Sequence, residues 1–130
     1  MTGNKYLLDT NIISAIFKGD ISVAKNILTS TNVFIPVIAT GELFFGASLS
    51  NNSTRYLNDI HEITLSYSVI NINQDTCKHY GLIKSSLRKK GKPIPENDIW
   101  IAAIALQYNF IIVTKDNHFK EVEEVEIEAW

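Results

Sequence analysis

Between Asp98 and Tyr108 the chain carries eight apolar residues without a break, Ile99 to Leu106. At helical spacing these residues leave no polar face, so such a helix must be covered on several sides and belongs in the middle of a fold. The run is far too short to cross a bilayer. Asn97 is suited to cap the helix, and Asn109 to end it in a left-handed turn. The apolar strand Ile111-Ile112-Val113 follows directly. A central helix feeding a buried strand is half of a βαβ unit, and the rest of the chain repeats that alternation.

Tyr6-Leu7-Leu8 reads as a short buried strand ending at Asp9, followed by helices over 11–17 and 21–28. Val33-Phe34-Ile35 forms the next strand, broken at Pro36. Thr40 is expected to cap a helix that carries Glu42 in its first turn and runs to about Leu49. A helix over 54–62, a strand over 68–72 and a long helix from Asn73 or Asp75 to the stop at Gly91 and Pro93 come next. Val125 to Glu128 alternates as an edge strand does. About five strands separated by helices imply a parallel sheet covered on both faces, a three-layer α/β/α fold.

A chain of 130 residues fits one domain over 1–130 and buries roughly two thirds of its unfolded surface. The single cysteine, Cys77, allows no internal disulfide and fits a reducing cytoplasm; it reads as a small buried hydrophobe. Met1 to Lys5 shows no signal-peptide core, and no membrane association is expected. A net charge of -2 argues against simple electrostatic coating of nucleic acid. Lys84, Arg88, Lys89, Lys90 and Lys92 nevertheless form a basic cluster, and Glu121 to Glu128 an acidic tail.

In an open parallel sheet the functional crevice lies beyond the carboxyl ends of the strands. Asp9 ends the first strand, Asp116 follows the strand 111–113, and Glu42 and Asp98 lie near helix N-termini at the same edge. Taken singly, each acid is a plausible cap or turn former. As a set they repel one another, so a cation must neutralise them. Helix N-termini supply part of the compensation at Glu42 and Asp98. All-oxygen ligands select a hard ion, Mg²⁺ or Mn²⁺, as in phosphodiester-cleaving sites, where two ions about 4 Å apart serve attacking and leaving oxygens.

Leu7-Leu8-Asp9-Thr10-Asn11, Thr40-Gly41-Glu42-Leu43 with Gly46-Ala47, Asn97-Asp98-Ile99-Trp100-Ile101-Ala102-Ala103 and Val113-Thr114-Lys115-Asp116-Asn117-His118-Phe119 resemble, in this order, the motifs of PIN domains. The resemblance is nearest to the VapC-type toxins of bacterial type II toxin–antitoxin pairs and spans essentially the whole chain. It implies a PIN-like fold and metal-dependent endoribonuclease activity, with hydrolysis of RNA by metal-activated water and a 5′-phosphate product. It makes Asp9, Glu42, Asp98 and Asp116 the metal-binding catalytic acids, with Asn11 and Thr114 as polar supports. It implies a homodimer and an antitoxin whose C-terminal segment blocks the site.

Arg88, Lys89, Lys90 and Lys92 precede the Asp98 motif and are candidates to grip the RNA backbone. Phe44 and Phe45 are candidates to line the antitoxin groove, although core packing is the simpler expectation for either. Many relatives carry an Asp where this chain has His118. His118 is a candidate ligand, proton shuttle or surface residue, the last being the simplest. Two other α/β readings fail on specific positions. A dehalogenase-like phosphatase needs an acid where Asn11 stands, and a receiver domain needs an Asp where Asn73 follows the third strand. An RNA-processing enzyme that is not a toxin, or a silent RNA- or protein-binding module, remain the alternatives; the second is disfavoured because no acid is missing.

Overall fold

The computed structural model describes residues 3–130; Met1 and Thr2, on which the reading of the N-terminus partly rests, lie outside the described residues. The elements in chain order are β1 (Tyr6–Leu8), α1 (Thr10–Phe17), α2 (Ile21–Thr29), β2 (Val33–Pro36), α3 (Val37–Leu49), α4 (Ser53–Ser66), β3 (Ser68–Ile70), α5 (Gln74–Lys90), α6 (Glu96–Tyr108), β4 (Ile111–Val113) and β5 (Glu126–Glu128). The strands pair in the order β3-β2-β1-β4-β5, and every pairing is parallel. The expected sheet of about five strands between helices is present.

The two faces of the sheet bury separate apolar clusters. One gathers Leu8, Ile12, Ile13, Val23, Ile35, Leu43 and Ile60 beneath α1 to α4. The other gathers Leu7, Ile83, Leu87, Ile101, Ile104, Ile112 and Phe119 with α5 and α6. Successive strand residues point to opposite faces, so Leu7 and Leu8 serve different clusters. Helix α6 is buried from Ile101 to Ala105, as its unbroken apolar run requires.

Three local expectations are corrected. Helix α3 starts straight out of β2 with Pro36 at its N-cap, so Thr40 lies inside it and Glu42 beyond the first turn. The Thr40 hydroxyl bonds back to the Val37 carbonyl at 2.6 Å instead of capping. Pro36, which cannot donate an N–H, is tolerated at this junction because the first helical donors need no intrahelical partner. Helix α6 likewise starts at Glu96 after Pro95, so Asn97 is not its cap, while Asp98 remains in the first turn. Cys77 is exposed rather than buried. It sits on α5, whose buried residues are Thr76, Ile83 and Leu87.

Helices α5 and α6 run antiparallel. Asn73, before α5, bonds Gln107 and Tyr108 at the end of α6, while Lys84 bonds Glu96 at its start. The pair is tied at that second end by Tyr80, whose ring stacks on Trp100 at 3.9 Å and whose hydroxyl donates to Glu96. The basic C-terminus of α5 therefore reaches the sheet edge at which α6 begins.

Candidate active site

Asp9 leaves β1 and caps α1, its Oδ1 accepting the Thr10 N–H at 2.8 Å. Its Oδ2 accepts the Thr114 hydroxyl from the end of β4, also at 2.8 Å. Thr114 is buried, and its oxygen in turn accepts the Asp116 N–H at 2.9 Å. One hydroxyl thus joins the carboxyl ends of the two central strands and fixes two of the acids. Thr10 does similar work for Glu42, donating to Oε1 at 2.8 Å across the gap between α1 and α3. Asn11 accepts the Lys115 N–H at 3.2 Å and pins the loop after β4.

These elements surround an open cleft of about 800 Å³ whose lining includes Asp9, Asn11, Glu42, Asp98 and Asp116. The four acids named from the sequence therefore share one cleft at the carboxyl edge of the sheet. Asp9 is 5% exposed, and its pKa is pushed up to about 6. Burial is the main cause, opposed by the Thr114 and Thr10 hydrogen bonds and reinforced by the charges of Asp98 and Glu42. Burial also raises Asp98, against the stabilising bond from His118. A cleft in which burial holds Asp9 and Asp98 above the ordinary carboxylate range is electrostatically suited to a bound cation.

His118 is exposed, as the simplest expectation for it had it, but its ring is not free: Nδ1 lies 2.9 Å from Asp98 Oδ2 and 3.1 Å from Asp116 Oδ1. Its own N–H donates to Asp116 Oδ1 at 3.0 Å. Asp98, Asp116 and His118 each offer a ligand atom, all within 4.8 Å of one another. The Asp98 bond raises the His118 pKa above its usual value.

The basic cluster lies outside the lining of the cleft. Arg88, Lys89, Lys90 and Lys92 do not line the acidic cleft. Lys90 is engaged with the Glu121 carbonyl and Glu123 carboxylate, and Lys84 with Glu96. The cations that do line the cleft are Lys18 at the end of α1 and Lys115, which pairs with Asp20 at 3.0 Å. Sequence reading passed over both, and over Thr10. The spacing Asn11, Ser14, Lys18 carried a signal for the first, since it places all three on one helix face. Phe44 and Phe45 are 53% and 67% exposed, so core packing does not account for them.

The sequence profile of the PIN domain matches residues 6–125, all but the ends of the chain. The chain belongs to the PIN-domain family. Among characterised PIN proteins, the ribonuclease VapC1 of Haemophilus influenzae is 31% identical over 96% of this chain and 97% of its own length. The tRNA(fMet)-specific endonuclease VapC of Shigella flexneri is 30% identical over 97% and 98%. A crystal structure of VapBC2 from Rickettsia felis, bound to a DNA fragment from its promoter, superimposes with a TM-score of 0.88. That match is 29% identical and covers 96% of this chain and 98% of that one. The first two are named as VapC nucleases, and this PIN domain aligns over nearly the whole length of all three.

Proposed function

We propose that this PIN domain is a metal-dependent endoribonuclease and the toxin of a toxin–antitoxin pair. The observation that carries the reading is the convergence of Asp9, Glu42, Asp98 and Asp116, from four separate segments, on one open cleft. Their oxygen donors fit Mg²⁺ or Mn²⁺, which retain water and bind through a few carboxylates together with substrate phosphate. Bound there, such an ion supplies the charge that lowers the pKa of water and offsets the charge of the phosphodiester.

The protein's own contribution is positional. Thr114 and Thr10 spend their hydroxyl protons on Asp9 and Glu42, which orients the remaining carboxylate lone pairs into the cleft. Asn11 holds the loop that carries Asp116. Lys18 and Lys115 offer the phosphate backbone positive charge at the rim, in the role first assigned to Arg88, Lys89, Lys90 and Lys92. The cleft is open, which suits an extended or looped RNA strand rather than an enclosed small molecule. The exposed Phe44, Phe45 and Leu49 along α3 form an apolar surface suited to the antitoxin or to a second copy of the chain. Among the described residues no helix is long and apolar enough to cross a membrane.

The test is induced expression of the wild type and Asp9→Asn in a bacterial host, with growth and RNA 5′ ends as readouts. Growth arrest and new 5′-phosphate ends are expected from the wild type alone. Equal growth and no new ends, from soluble and folded protein, would reject the toxin nuclease in that host.

A further inference from the structure

We propose that His118 is a nitrogen ligand of the metal in this cleft and biases it toward Mn²⁺ and against Mg²⁺. The proposal rests on the reading of the cleft as a metal site and adds the identity of the ion that this chain selects.

The imidazole is rigidly placed. The short 3-10 turn His118–Glu121 opens with the His118 N–H bonded to Asp116 Oδ1. The next residue, Phe119, is fully buried in the α5–α6 cluster and anchors the turn from behind. The ring is therefore placed against Asp98 and Asp116, two of the acids that line the cleft. Its Nδ1 stands 2.9 Å from one oxygen of Asp98 and 3.1 Å from one oxygen of Asp116. Adjacent ligands of a six-coordinate ion with bonds of about 2.1 Å are roughly 3 Å apart, being separated by √2 times the bond length. The imidazole nitrogen already stands at the spacing of a neighbouring ligand from each carboxylate oxygen, and all three donors lie within 4.8 Å of one another.

Chemistry then decides between ions. Imidazole is a neutral, borderline-soft donor; Mg²⁺ and Mn²⁺ both favour oxygen ligands, but of the two Mn²⁺, a transition ion, accepts a nitrogen ligand at less cost. An Asp at this position would add charge and favour Mg²⁺. His118 adds a ligand without adding charge. The surrounding carboxylates keep the site mostly oxygen, and Mn²⁺ accommodates such a mixed set. The ring is about half exposed, so ligation requires little further desolvation.

Mn²⁺ and Mg²⁺ binding should be measured by titration calorimetry on the wild type, His118→Asn, His118→Asp, Asp9→Asn and Asp98→Asn. Pulsed EPR of the Mn²⁺-loaded proteins should accompany it, and circular dichroism should verify folding. The Mn²⁺-over-Mg²⁺ preference is expected to fall by about tenfold or more in His118→Asp. An imidazole ¹⁴N coupling is expected in the wild type and not in His118→Asn. Neither His61 nor His79 belongs to the Asp98–Asp116–His118 group, which leaves that signal unambiguous. An unchanged ion preference, no ¹⁴N coupling in the wild type, or a coupling that survives in His118→Asn overturns the proposal. If Asp98→Asn still weakens Mn²⁺ binding in that case, the metal site stands and only the role of His118 fails. Mn²⁺ binding indifferent to both Asp9→Asn and Asp98→Asn removes the metal site and the proposal together.

Discussion

Asp9 is the residue at which fold and chemistry conflict most directly. Its backbone caps α1 and its side chain is buried, yet its charge is unwelcome there without a cation. The folded protein holds its pKa at about 6 against an ordinary 3.8, so between those values the folded state binds the extra proton. Metal-free protein must therefore lose stability as pH rises through that window and regain it on acidification. A displacement of that size corresponds to about 3 kcal/mol. In chelator-treated samples, the stability of Asp9→Asn relative to wild type is expected to grow from near zero at pH 4 to about that value at pH 7. Denaturant unfolding at several pH values measures it, and a flat difference would contradict the burial argument. Asp98→Asn removes a charge at nearly constant shape in the first turn of α6. It is expected to lower RNA cleavage by roughly a hundredfold or more while retaining the wild-type circular dichroism spectrum. Undiminished cleavage would remove Asp98 from the site.

Among the elements, α6 determines both stability and placement. It is buried from Ile101 to Ala105, and its first turn delivers Asp98 to the cleft. Ile104→Ala leaves a cavity in the cluster that Ile104 shares with Leu7, Ile112 and Phe119 and is expected to cost about 2–5 kcal/mol in denaturant unfolding. A cost under about 1 kcal/mol would mean that the surroundings collapse onto the gap. The two sources of positive charge are also separable by element. Lys18→Gln with Lys115→Gln, from α1 and the loop after β4, should weaken RNA binding and reduce the dependence of log affinity on log salt by roughly one to two. Arg88→Gln with Lys89→Gln, at the end of α5, should change that slope less. The reverse ranking would return the RNA path to the basic cluster. Lys115 has an internal competitor in Asp20, so its contribution should be the smaller of the two cleft lysines.

At the scale of the whole molecule, a parallel sheet with order β3-β2-β1-β4-β5 makes its two central strands end side by side. Asp9 and Thr114 meet for that reason, although 105 residues separate them. A divalent ion bound across segments that meet only in the folded chain stabilises the fold by mass action. Millimolar Mn²⁺ is thus expected to raise the melting temperature at pH 7, with the gain shrinking towards pH 5 as Asp9 takes up its proton. A melting temperature indifferent to Mn²⁺ at pH 7 would argue against a metal bound by these acids.

The alternation of strands and helices, the central position of α6, the parallel sheet and the four acids at its carboxyl edge were all legible in the order of the residues. Hydrophobic period, strand ends and turn residues are local properties, and they specify which edge each acid occupies. Helix starts were less legible, because Thr40 and Asn97 have the chemistry of caps but Pro36 and Pro95 stand where the helices begin. Only the tertiary structure decided that His118 faces Asp98 and Asp116, that Lys18 and Lys115 rather than Lys89 and Lys90 line the cleft, and that Phe44 and Phe45 are exposed. Each of those outcomes depends on which side chain a distant segment brings alongside. Local pattern sets the direction of a strand and the face of a helix, but the partner across the gap is chosen by packing.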